Sequence, residues 1–228
     1  VTVEAGRLPA EGVRRMFDRI APVYDAMNRL MTAGLDRRWR AVTAREVVRP
    51  GDRVLDACCG TGDLALAARA AGAGRVVGVD FSPRMLERAR RKAPELEWVS
   101  GDLLALPFED GSFDAALVGF GVRNVEDLEA GLRELRRVLR PGGRLGILEI
   151  TTPRGPLALF YRLWFDRLVP LVGRLLPGGV AYSYLPASVR RFPRPEELTE
   201  LLGRCGFTGV RFRLFAGGIV ALHCGEAG

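Results

Sequence analysis

The chain has 228 residues, 48% hydrophobic and 27% charged, an ordinary globular composition that excludes a disordered or fibrous protein and leaves room for one α/β domain. Its net charge of +7 is carried almost wholly by arginine, Lys92 being the sole lysine, and suits RNA, an anionic membrane surface or an acidic ligand equally. No run reaches the roughly 20 apolar residues of a membrane-spanning helix, and VTVEAGRLPAEG lacks the layout of a signal peptide, so a cytoplasmic protein is expected.

Residues 13–48 carry helical periodicity broken at Pro22 and Gly34, an N-terminal helical cap. From Gly51 the pattern changes. "RVLDACCG" reads as a short buried strand running into a glycine loop, and "TGDLALAARAAG" as a helix stopped at Gly72. "RVVGVD" is a second strand ending in Asp80; Ser82 and Pro83 then cap and open a helix. "LEWVSGD" is a third strand, ending in Asp102, and "FDAALVGFG" a fourth. "VEDLEAGLRELRRVLR" is an amphipathic helix, and "GGRLGILEI" a fifth strand after a Pro-Gly-Gly turn. Strands and helices alternating at this spacing predict a doubly wound, mainly parallel sheet covered on both faces.

The stretch 157–176, rich in Leu, Phe and Trp with spaced arginines, predicts an inserted amphipathic helix; it suits either a cap on the sheet or the mouth of an apolar pocket at a lipid surface. Residues 181–198 read as a loop leading into a helix. The chain closes in two strands joined at Gly217-Gly218, giving a seven-stranded sheet in all.

Four cysteines and one histidine bound the chemistry. Cys58 and Cys59 are adjacent and have neither metal nor redox spacing, so reduced, space-filling thiols are expected. With His223 alone, a histidine triad or multi-histidine metal site is nearly excluded, and no metal is expected.

In an open parallel sheet, ligands bind beyond the carboxyl ends of the strands. Asp56, Asp80 and Asp102 sit at three successive strand ends, with Gly60-Thr61-Gly62 opening a helix between the first two. Asp80, about 20 residues past the loop, is placed to accept from a ribose diol. "GTGDLA" also fits a dinucleotide fingerprint, but Asp56 would repel a pyrophosphate and suits an ammonium instead. S-adenosylmethionine carries such a group. Asp56 could alternatively be a structural acceptor for loop N–H groups. A fourth feature is "GFGVRNVED": Arg123 and Asn124 follow an apolar strand end where a packed core has no use for them.

"VLDACCGTGD", "VVGVDFSPRML", "GDLLALPFEDGSFD" and "LRPGGRL" resemble the successive motifs of class I S-adenosylmethionine-dependent methyltransferases, which have a Rossmann-like sheet. Cys58 stands where that family's loop usually has its first glycine. More narrowly, "YDAMNRLMTAGLDRRWR", "GFGVRNVEDL", "YSYLPASVRRFP" and "GGIVALHCG" resemble the C-methyltransferases of menaquinone and ubiquinone biosynthesis, over nearly the whole chain. Asp36 replaces a histidine more usual there. "CCGTGD" looks more like the menaquinone branch.

The resemblance implies a single methyltransferase domain over 1–228: the cap at 13–48, a cofactor-binding core at 51–150, and substrate-side helices and terminal strands at 151–228. It implies cofactor contacts at Asp56, Gly60, Thr61, Gly62, Asp80 and Phe81, with Asp102 and Leu103 on the adenine and Gly119 nearby. Ring C-methylation needs an electron-rich carbon, which a hydroquinone supplies once a hydroxyl loses its proton. Arg123 could stabilise that oxyanion, Asn124 orient the ring oxygen and Tyr24 donate to it; the plainer reading of Arg123 is an ion pair with Glu126 or Asp127. Asn28, one helical turn from Tyr24, joins Tyr182, Tyr184 and Arg190 as substrate-side candidates.

The implied reaction converts polyprenylated demethylmenaquinol to menaquinol, with S-adenosylhomocysteine as by-product, in a protein touching the inner face of the membrane and free to form a homodimer. The rivals are methylation of a benzoquinol precursor of ubiquinone, methylation of RNA, and a non-catalytic binding protein of the same fold. Dispersed basic residues and the lack of an RNA-binding module speak against nucleic acid.

Overall fold

A computed structural model describes residues 9–153 and 179–228, without the side chains of 179–183. The inserted helix expected at 157–176 and the side chain of Tyr182 lie outside the described residues.

The cap comprises α1 (Ala10–Ile20), α2 (Tyr24–Thr32) and α3 (Leu35–Val47), broken where expected: a 3₁₀ turn holds Pro22, and Ala33 and Gly34 take left-handed backbones. There follow β1 (Arg53–Ala57), α4 (Asp63–Ala70), β2 (Arg75–Asp80), α5 (Pro83–Lys92), β3 (Glu97–Ser100), β4 (Phe113–Gly119), α6 (Leu128–Val138) and β5 (Leu139–Ile150). After the undescribed segment come α7 (Gly179–Arg191), α8 (Pro195–Arg204), β6 (Phe207–Phe215) and β7 (Val220–Ala227).

The seven strands form one sheet in the order β3-β2-β1-β4-β5-β7-β6, all parallel except β7, which runs antiparallel to both its neighbours. The period of two along each strand sorts side chains between two cores. Leu55, Val77, Val79, Ala116, Val118 and Ile147 face α6 and α8, while Val54, Val76, Ala115, Leu117 and Leu148 face α3, α4 and α5. The predicted caps hold: Ser82 Oγ accepts from the Met85 N–H at 3.2 Å, and Gly72, just past α4, has φ of 103°.

Three local expectations need correction. Residues 181–191 are helical, not loop, in spite of Pro186. Tyr184, Leu185, Ser188 and Val189 recur at helical spacing and are buried, and this packing outweighs the missing backbone donor. β3 stops at Ser100, so Asp102 lies in the following loop, where its backbone bridges to Ala105. β5 pairs with β4 already at Leu139, before the Pro-Gly-Gly turn, and the register shifts across that turn.

Strand order reverses between β1 and β4, opening a crevice at their carboxyl ends. The loops after β1, β2, β3 and β4 meet there, roofed by α1 and α2.

Candidate functional site

Two chambers meet under the cap. The first, of about 760 Å³, is lined by Gly60, Asp80, Phe81, Asp102, Leu103 and Gly119, all predicted cofactor contacts, together with residues of the cap and of the turn after β4. The second, of about 1240 Å³, is lined mainly by apolar side chains of α1–α3, with Asn28, Arg123, Asn124 and Tyr184 among its polar members. Phe17, Tyr24, Phe120 and Asn124 line both and form the wall they share.

Asp80 organises the first chamber. Its Oδ2 accepts from the Gly60 N–H at 2.8 Å and its Oδ1 from the Ser82 N–H at 2.9 Å, fixing the glycine loop to the end of β2. Each oxygen keeps a further lone pair for a ligand hydroxyl. Burial pushes its carboxyl up to about 6 against the pull of those two donors. Asp102 Oδ1 accepts from the Leu104 N–H at 3.0 Å, which turns the loop carrying Leu103.

Asp56 behaves differently. It is fully buried, neither oxygen has a hydrogen-bond partner, and burial pushes it up to about 8 against the weaker pull of the distant Ala65 N–H and the Arg40 charge. Asp80, not Asp56, is therefore the acceptor for the loop N–H of Gly60. Asp56 borders a small side pocket of about 290 Å³ with Tyr24, Arg40, Gly60, Thr61 and Gly119. An unpartnered buried carboxylate beside a glycine loop fits an incoming ammonium.

The loop itself is tightly built. Gly60 and Gly62 have φ of 55° and 86°, and a Cβ on Gly62 would fall 2.4 Å from the Trp98 ring. Cys58, in the place of a usual glycine, adopts φ of 54°, a conformation costing an L-residue of its kind about 1–2 kcal/mol. All four cysteines are free, and burial raises the Cys58 and Cys59 thiols well above the ordinary range, which suits space-filling and not nucleophilic roles.

Thr61 points its hydroxyl at Asp25 in α2, donating at 2.5 Å. Lys92, at the end of α5, completes this cluster with bonds of 2.7 Å to Asp25 and to Asp63 and 3.1 Å to Thr61. The cap is thus pinned to the cofactor loop next to Tyr24. Sequence reasoning missed the cluster because its members are scattered over four elements.

Beyond β4 the backbone turns sharply at Phe120, with φ of 61°, into a 3₁₀ turn over Val122–Asn124. The Phe120 carbonyl accepts from Arg123 Nη1 at 2.5 Å and Asn124 Nδ2 at 3.4 Å. Arg123 Nη1 also donates to Glu149 Oε1 at 2.7 Å, with side-chain exposures of 8% and 1%. The partner of Arg123 is therefore Glu149 at the end of β5, and not the nearby Glu126 or Asp127. Burial raises the Glu149 carboxyl against the pull of Arg123; burial would lower Arg123, but Glu149, with Tyr24 and Tyr184, outweighs it and holds the guanidinium charged. Arg123 Nε and Asn124 Oδ1 are buried without partners, a donor and an acceptor left over beside the second chamber.

Other candidates sort themselves by position. Tyr24 borders both chambers and the side pocket, and Asn28 and Tyr184 line the second chamber as expected. Gly62 acts through packing on Trp98 and lines neither chamber. Arg190 is exposed on α7 and lines neither. Asp36 is buried and paired with Arg40 at 2.5 Å, and the Arg40 guanidinium lies 5.1 Å from the Phe120 ring centroid. His223 is buried on β7 with Nε2 2.9 Å from the Pro195 carbonyl, a structural histidine.

The ubiE/COQ5 methyltransferase family matches residues 6–227. The demethylmenaquinone methyltransferase of Thermus thermophilus is 48% identical over 220 residues, covering 92% of this chain and 99% of that protein. The ubiquinone/menaquinone biosynthesis C-methyltransferase UbiE of Syntrophotalea carbinolica is 44% identical over 95% of this chain and 94% of its own. Among solved structures, a SAM-dependent methyltransferase of Thermotoga maritima, described as a possible histamine N-methyltransferase, superposes with a TM-score of 0.63. It is 21% identical and covers 93% of this chain and 100% of its own, a likeness of fold alone.

Proposed function

The chain belongs to the ubiE/COQ5 methyltransferase family, and from this we infer that it is an S-adenosylmethionine-dependent C-methyltransferase converting demethylmenaquinol to menaquinol. The observation that carries the reading is the adjacency of two chambers: one edged by the carboxylates Asp80 and Asp102 and a larger apolar one share Phe17, Tyr24, Phe120 and Asn124 as a common wall.

S-adenosylmethionine supplies an electrophilic methyl group on a sulfonium and leaves as S-adenosylhomocysteine. Asp56 would hold its ammonium, Asp80 its ribose, and Asp102 with Leu103 its adenine; the unpartnered Asp56 oxygens support the fit. The apolar chamber receives the prenylated quinol and keeps water from the reacting carbon. Ring attack requires a hydroxyl to give up its proton, and the oxyanion so formed meets the fixed positive charge of Arg123. Asn124 Oδ1 accepts from a remaining ring hydroxyl, and Tyr24 orients the ring from the roof. Preorganisation by Glu149 and the Phe120 carbonyl means that Arg123 need not reorient during the reaction.

The test is incubation with labelled S-adenosylmethionine and a panel of demethylated naphthoquinol, benzoquinol and RNA, read by mass spectrometry. Methyl transfer to the naphthoquinol ring is expected, and only with a reductant present, because an oxidised quinone ring is too electron-poor to attack. Equal turnover of quinone and quinol would overturn the nucleophile; preferred labelling of RNA would overturn the substrate.

A further inference from the structure

The turn joining α2 to α3 is unusual in what it shows to solvent. Leu30 is 69% exposed and Leu35 43%, two of the three exposed large hydrophobic side chains among the described residues. Ala33 between them is exposed with φ of 50°. Arg29, Arg37 and Arg38 surround this apolar tip, all exposed, and their guanidinium groups have no ion pair or hydrogen bond among the described residues. Several arginines on other helices pair with an acid one turn away, as Arg14 does with Glu11, Arg91 with Glu87 and Arg133 with Glu129. Here the one nearby acid, Asp36, is turned inward and taken by Arg40. The positive charge of the corner is therefore left uncompensated.

The same turn is the rim of the substrate chamber. Met31, Thr32 and Leu35 line it from within, while Leu30 and the three arginines stand outside. No described helix is long and apolar enough to cross a membrane. A chamber built for a prenyl tail poses a transfer problem: every methylene of the tail favours the bilayer over water, so the substrate does not diffuse to the enzyme.

We propose that the α2–α3 corner docks on an anionic lipid bilayer, with Leu30 and Leu35 at the acyl boundary and Arg29, Arg37 and Arg38 at the headgroup phosphates. The chamber rim then faces the lipid, and the tail enters without crossing water. The proposal rests on the reading of the substrate as a prenylated quinol. An anionic bilayer fits better than a protein partner because the free charge is all of one sign and the apolar tip is continuous with the lipid-accepting chamber.

Co-sedimentation with vesicles of mixed phosphatidylglycerol and phosphatidylcholine tests it. The protein should partition onto them, and Arg29→Ser, Arg37→Ser and Arg38→Ser should each weaken partitioning by about fivefold. Those losses should vanish on pure phosphatidylcholine and shrink at high salt. Leu30→Asn should weaken binding by about tenfold on anionic vesicles. Failure of the unaltered protein to bind anionic vesicles, or unchanged binding of the triple arginine variant, overturns the proposal.

A second measurement separates docking from folding and from substrate identity. The arginine variants should keep normal turnover of a short-chain, water-dispersed demethylated naphthoquinol and lose turnover of a long-chain one embedded in vesicles. Equal losses on both would assign the corner to the fold and overturn docking. If neither quinol is methylated by the unaltered protein, the substrate reading fails, while sedimentation still decides the docking surface.

Discussion

Arg123 and Glu149 face each other across 2.7 Å, in a site where neither side chain is more than 8% exposed. One follows β4 and the other ends β5, so the pair is fixed by strands at the core of the sheet and not by a mobile loop. The charge on Arg123 is thereby held at the wall of the second chamber, with its Nε left free to donate.

Removal of that charge should affect turnover more than cofactor binding. Arg123→Ala should lower kcat on a demethylated quinol by about 10²–10³, the scale of a lost preorganised oxyanion donor. Arg123→Lys should restore part of the loss, since a point charge cannot copy the planar fork. Glu149→Gln should cost about 3 kcal/mol of stability by leaving a buried cation uncompensated. Steady-state kinetics, with S-adenosylmethionine affinity measured in parallel, checks the split. Near-normal turnover of Arg123→Ala would reduce the arginine to a structural partner of Glu149.

Two buried acids, Asp80 of the first chamber and Asp56 of the side pocket, set a pH dependence of the ligand-free protein. Asp56 is raised from 3.8 to about 8 and Asp80 from 3.8 to about 6. Below about pH 4 both are protonated in folded and unfolded chains alike. As pH rises the unfolded chain ionises first, so their contribution to stability is lost between about 4 and 6 for Asp80 and between about 4 and 8 for Asp56. Asp56→Asn should flatten this decline, seen as a Tm that changes less from pH 5 to pH 8. A Tm profile parallel to that of the unaltered protein would show that Asp56 ionises normally.

Asp80→Ala should weaken S-adenosylmethionine binding by about 1.5–3 kcal/mol, the range for lost bonds to a charged acceptor. The loop N–H of Gly60 and that of Ser82 lose their acceptor in the same step. Titration calorimetry on folded protein measures the change, and unaltered affinity would remove Asp80 from the ribose site.

Lys92→Met should destabilise the protein by about 1–2 kcal/mol, because Asp25 and Asp63 are left facing each other without their shared cation. The cap should also loosen over the glycine loop, raising KM for both substrates. Denaturant unfolding and kinetics test the two effects; a change in stability alone would limit Lys92 to the fold.

Much of this was legible in the sequence. The helix caps, the glycine loop and the succession of the first five strands along the chain follow from local chemistry, and these set Asp80, Asp102 and Gly60 along the first chamber. Glu149 was not legible, because inside "GGRLGILEI" it occupies an ordinary strand position. Its meaning comes from the bond of the Phe120 N–H to the Leu148 carbonyl at 2.8 Å, which brings the turn after β4 beside the end of β5. The Asp25–Thr61–Lys92 cluster was invisible for the same reason. In α7, Pro186 spoke locally for a break, and only burial of Tyr184, Leu185 and Val189 against the cap and sheet reversed it.

The two chambers draw on different parts of the chain. Apart from Ala10, Phe17 and Tyr24, the first is built from residues 58–126; the second takes its walls from 16–40 and 184–220, with Phe120, Arg123, Asn124 and Ile150 at the seam. On the proposed assignment, the methyl donor is held largely by a contiguous central cassette and the acceptor by the two flanks. A hybrid gene that keeps the middle and exchanges both ends would alter which molecule is methylated while leaving the donor unchanged. A swap of one end alone would give a mismatched cavity, since both flanks contribute to its wall.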